Sequence, residues 1–122
     1  MVTARAVRPL LKPRRVQRLK EVLPDIQGAA QLISGEGGWR TVASQGEVNV
    51  DWALSVLRVG EARLYDDFET DTEEVEAVLT TAESTHVVVA DGRGAVVLRI
   101  ERNANLGMAL GYAHQVVRSG VV

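Results

Sequence analysis

The sequence predicts an α+β domain, with an antiparallel five-stranded sheet covered by helices on both faces in the order α-β-β-α-β-β-β-α. Three observations carry this prediction. Two pairs of apolar runs are joined by short glycine-containing turns, at residues 35–38 and at Asp91-Gly92. Three other stretches, near 13–23, 51–68 and 105–118, space their apolar residues at helical period. A chain of 122 residues, 46% hydrophobic and 25% charged, holds one core and has an ordinary globular composition. Antiparallel hairpins on a single sheet bury both faces when helices cover them.

Residues 1–12, "MVTARAVRPLLK", show little periodicity and read as a basic arm, which leaves residues 13–122 as a single domain. Pro13 suits the first turn of a helix, where its missing amide hydrogen costs nothing; Val16, Leu19 and Leu23 form one stripe, and Pro24 ends it. "QGAAQLIS" and "WRTVAS" then read as two short strands of a hairpin. Asn49 or Asp51 caps a second helix reaching about Phe68, and Ala53, Val56, Leu57, Gly60, Leu64 and Phe68 make its core stripe. "EEVEAVLTTAE" alternates at its start as a strand does, and "HVVVADGRGAVVLRIER" supplies two β-branched strands.

The last helix, "ANLGMALGYAHQVVRSG", takes Leu106, Leu110, Ala113 and Val117 as its core stripe. Gly107 and Gly111 fall at the rim of that stripe, each costing roughly 0.5–1 kcal/mol relative to alanine. They are expected to be structural, together with Asn105 at the helix start, with a neighbouring backbone, most simply the first helix, passing too close for a side chain.

Charge is distributed unevenly although the net value is only −2. Arg5, Arg8, Lys12, Arg14, Arg15, Arg18 and Lys20 all precede the first acid, Glu21, whereas Asp66, Asp67, Glu69, Asp71, Glu73, Glu74 and Glu76 crowd a later stretch. The arm could contact nucleic-acid phosphates, but an acidic remainder and 4% aromatic residues argue against that partner. The absence of cysteine excludes disulfides, thiolate metal sites and cysteine catalysis. No apolar run approaches the roughly 18 residues needed to span a bilayer, and the amino terminus lacks a signal-like core, so a cytoplasmic protein is expected.

No catalytic, cofactor-binding or metal-binding residue is assigned. His86 and His114 lack motif spacing to a nucleophile or to metal-binding partners and read as structural or surface histidines. Glu73, Glu74 and Glu76 read as solvated edge charges, and "GEGGWRT" lacks the Gly-Lys-Ser/Thr ending of a phosphate-binding loop. On the second helix, Trp52 and Val59 lie about 100° from the core stripe among Ser55, Ala62, Arg63 and Asp66. That edge either widens the buried face or forms an interface.

The hairpin "VVVADGRGAVVLRI" followed by the Asn105-Leu106-Gly107 helix start of "NANLGMALGYAHQVVR" resembles the end of the roadblock/dynein-light-chain family, and the element order over about residues 13–119 matches too. The resemblance implies a roadblock/profilin-like fold and a domain without catalytic residues that forms a homodimer through its second helix and third strand. It also implies a scaffold, or a regulator of a Ras-like small GTPase of the bacterial type. The interface would then include Trp52, Ser55, Val59, Ala62, Arg63 and Asp66 of the helix with Val75 and Ala77 of "EEVEAV". The alternative is an interaction scaffold with no nucleotide-dependent partner.

Overall fold

The structure, a computed structural model, describes residues 23–68 and 74–119, with side chains described at 23–59 and 74–118. The arm and the first expected helix, up to residue 22, lie outside the described residues. The elements are β1 (Ile26–Gly35), β2 (Gly38–Gly46), α1 (Val50–Phe68), β3 (Glu74–Thr80), β4 (Ser84–Asp91), β5 (Gly94–Glu101) and α2 (Leu106–Ser119). The strands form one five-stranded sheet in the order β2-β1-β5-β4-β3. Every neighbouring pair is antiparallel.

Strand alternation divides the apolar residues between two cores. Val87 and Val89 of β4 and Val96, Leu98 and Ile100 of β5 meet Ala109, Ala113 and Val117 of α2. On the opposite face, Val88, Ala90, Ala95 and Val97, with Ala30 and Leu32 of β1, meet Ala53 and Leu57 of α1. Period-2 alternation thus places one helix on each face of a β-branched sheet. The alanines at both contacts let the helices approach the valine columns closely.

Local chemistry fixes the boundaries of these elements. Asn49 caps α1, its Oδ1 accepting from the Trp52 amide at 2.9 Å, which settles the choice between Asn49 and Asp51. Asn105 caps α2 in the same way, accepting from the Met108 amide at 3.1 Å. Asn105→Ala should cost about 1 kcal/mol of stability, checked by denaturant midpoint. In the β4–β5 turn the Asp91 carboxylate accepts from the Arg93 and Gly94 amides, both at 2.8 Å. Asp first and Gly fourth is the preference of a type I turn, so Gly92-Arg93 rather than Asp91-Gly92 forms the centre of this hairpin loop.

The α2 stripe differs from the sequence expectation. Ala109 and Ala113 are fully buried and Val117 nearly so, Leu110 is half-buried, and Leu106 is 36% exposed. Leu106 opens the helix, whereas Ala109, Ala113 and Val117 recur every fourth residue over β4 and β5.

The close approach expected at Gly107 and Gly111 has no counterpart among the described residues. A Cβ on Gly111 would meet nothing within 4 Å, and one on Gly107 only the Asn105 side chain at 3.4 Å. The neighbour expected there, the first helix, lies outside the described residues. Gly111→Ala tests the packing expectation: a fall in thermal midpoint reveals a backbone packed against it, and a rise of roughly 0.5–1 kcal/mol in stability shows open space.

Two other glycines are crowded. Gly28 and Gly46 stand opposite each other in the β1–β2 register. A Cβ on Gly28 would run into the Glu47 carbonyl oxygen, and one on Gly46, whose φ is +67°, into that of Gln27. This corner leads the chain from the sheet edge into α1.

Candidate functional site

The sheet has two edges, β2 and β3, and they differ in how ready they are to pair with another strand. The β1–β2 register shifts between Gln31 and Leu32. Such an irregularity twists an edge away from further pairing, and β2 also exposes Arg40, Thr41, Ser44 and Gln45. β3, by contrast, pairs with β4 in unbroken register from Glu74 opposite Asp91 to Thr80 opposite Thr85. Its outer side offers a regular row of backbone donors and acceptors, and Val78 and Leu79 are 41% and 43% exposed. A regular open edge is a template for another strand, although this one also exposes Glu74 and Glu76.

α1 continues this surface. Val59 is 61% exposed, the largest exposure among the large hydrophobic residues described. Ser55 is also exposed, and its hydroxyl donates to the Asp51 carbonyl at 3.0 Å. Trp52 takes the buried-face role considered for it. It is half-buried against the α1-side core and meets the His86 ring edge-on, with centroids 5.9 Å apart and planes at 61°. Val75 and Ala77 are half-buried against that same core, so they support β3 from beneath. Ala62, Arg63 and Asp66 lie on the later turns of α1, with side chains outside the described residues.

Two polar clusters flank this surface. At one end of the α1-side face the Arg99 Nε donates to the Ser84 hydroxyl at 3.0 Å, which donates to Gln27 Oε1 at 2.6 Å. Arg99 also pairs with Glu47 at 3.0 Å, tying β5 to the crowded glycine corner. His86 lines the same open cleft, its Nδ1 buried without a hydrogen-bond partner among the described residues. Burial, with a smaller contribution from Arg99, holds its pKa below the ordinary imidazole value. The sign follows: His86 folds neutral, so its contribution to stability is present above the unfolded pKa and is lost as pH falls toward the folded one.

In the second cluster Glu74 and Glu76, expected as solvated edge charges, are exposed but also have a partner. Glu74 and Glu76 bind His114 of α2, one on each ring nitrogen, at 2.5 and 2.6 Å. His114 is thus a structural histidine held by partners 38 or more residues away. Among the described residues no group of three His, Asp or Glu side chains could hold a metal ion.

No family model matches the chain, and no curated protein matches it. Among solved structures the fold is clear: it is the fold of a roadblock/LC7 domain. A roadblock/LC7 domain from Streptomyces avermitilis superposes with a TM-score of 0.61 at 16% identity, over 84% of this chain and 88% of that one. The gliding protein MglB of Thermus thermophilus gives a TM-score of 0.55 at 15% identity, covering 97% of this chain and 98% of that one. An MglB structure described as having a tetrameric arrangement gives 0.56 at 16% identity, over 96% and 93% of the two chains. No helix among the described residues is long and apolar enough to cross a membrane.

Proposed function

We propose that this protein is a cytoplasmic, homodimeric, non-catalytic regulator or adaptor of a Ras-like small GTPase. A second copy pairs along β3 and sets the two α1 helices side by side. The observation that carries the reading is the unbroken β3 edge, with Val78 and Leu79 exposed, together with the exposed Val59 of α1. The roadblock resemblance supplies the class of partner, and the MglB structure with a tetrameric arrangement is consistent with assembly of such a domain.

An activator of this kind either supplies a cation to the transition state or reshapes the switch loops of its partner. The densest arginines are in the arm, outside the roadblock pattern, and Arg63 belongs to the dimer edge. Neither makes a convincing arginine finger, so reshaping by the paired α1 helices is the mechanism proposed. Deleting residues 1–12 should leave stimulation of hydrolysis largely intact, while Trp52→Ala should weaken it at temperatures where the variant remains folded. Single-turnover GTP hydrolysis decides the matter, and a loss of about a thousandfold on removing the arm, the scale of a true arginine finger, would overturn the mechanism. The partner is found by capture from source-cell lysate with a GTP analogue or GDP added. Equal capture in both states favours the scaffold reading.

A further inference from the structure

His114 is held between two carboxylates that alternate on one face of the edge strand. Its Nδ1 lies 2.5 Å from Glu74 and its Nε2 2.6 Å from Glu76. Ionised carboxylates only accept hydrogen bonds, so both contacts are satisfied only when both ring nitrogens carry hydrogen. Exchanging the two nitrogens by a ring flip does not alter this requirement. A neutral ring serves one carboxylate and turns a lone pair toward the other.

Among the described residues no other cation pairs with these two acids. Among the described residues, β3 presents Glu74 and Glu76, and β4 presents Asp91, opposite Glu74 and engaged by turn amides. On this face β5 offers Val96, Leu98 and Ile100, while on α2 Arg118 lines the same cleft as Glu74, one turn beyond His114. His86 and Arg99 belong to the opposite face.

We propose that His114 is a proton-dependent latch on the β3 edge and that it controls pairing with a second copy of this chain. The inference rests on the β3-pairing reading above. Each copy brings Glu74 and Glu76 to one face of the joined sheet, and gathering these like charges there opposes pairing. The charged ring offsets one carboxylate per copy and ties β3 to α2. The neutral ring leaves both acids uncompensated and loosens the edge.

The experiment measures the dimer dissociation constant of the full chain by sedimentation velocity at mildly acidic and mildly alkaline pH. Wild type should weaken by about tenfold or more on the alkaline side, about 1.4 kcal/mol. His114→Gln should be weak and lose most of this dependence, and the double variant Glu74→Gln/Glu76→Gln should pair at both pH values with little change. Both variants retain His86, whose effect on fold stability has the opposite sign, so the difference from wild type isolates His114. A pH-independent wild type, or His114→Gln with wild-type dependence, overturns the latch.

If the chain is monomeric at every pH, the pairing reading fails and amide exchange of β3 in that monomer judges the latch. Protection should then fall on the alkaline side, after correction for base catalysis, in wild type but not in the double variant. Equal behaviour of the two overturns the proposal even if His114→Gln does not fold.

Discussion

Val59→Glu is expected to leave the fold intact and abolish the dimer. In the single chain Val59 is 61% exposed, so a carboxylate there remains hydrated and costs the monomer little. Across a two-fold interface the same substitution introduces two charges into an apolar contact without partners, at a cost of several kcal/mol. Light scattering at tens of micromolar should report a dimer for wild type and a monomer for the variant, with matching circular dichroism. A variant that stays dimeric would place the interface elsewhere.

Gly28→Ala should be among the most destabilising single-methyl changes in the chain. The added Cβ collides with the Glu47 carbonyl oxygen, a backbone atom that cannot rotate away. Relief requires the β2–α1 corner to move, disturbing the Arg99–Glu47 pair and the Asn49 cap of α1. Overpacking costs typically about 1–3 kcal/mol, and here the upper end or beyond is expected. Chemical denaturation measures it; a loss below about 0.5 kcal/mol would show that the corner yields freely. The shift also moves Trp52, so any partner binding should fall along with stability.

The architecture is legible in the sequence because its signals are local. Asn49 or Asp51 and Asn105 mark the starts of helices, Asp91-Gly92 marks a hairpin, although its centre lies one residue further on, and alternating valines assign each strand residue to a face. The α1 contacts at Ala53 and Leu57 follow from helical spacing alone. The α2 stripe is less secure, because a helical projection locates a face only to about one position, and the difference between Leu106 and Ala109 is set by where the sheet lies.

The features that escape the sequence depend on distant partners. Gly28 and Gly46 are crowded because of the β1–β2 register and the bend after it, which no local pattern records. His114 reaches Glu74 and Glu76 because β3 lies beside β4, over which α2 packs, so a lone histidine and an acidic run become a single cluster. The exposure of Val78 and Leu79 follows from the position of β3 at the end of the strand order, which chain order does not give. Trp52 and Val59, alike in the helical projection, separate because Trp52 reaches His86 and the core while Val59 remains exposed.

The central claim is that two copies join along β3, and isotope-filtered nuclear Overhauser spectroscopy on a mixture of labelled and unlabelled chains tests it most directly. Two copies joined along β3 should give cross-chain contacts between β3 backbone protons, accompanied by cross-chain contacts from the Val59 methyls. A monomer in solution, or a dimer whose cross-chain contacts run along β2, would contradict it.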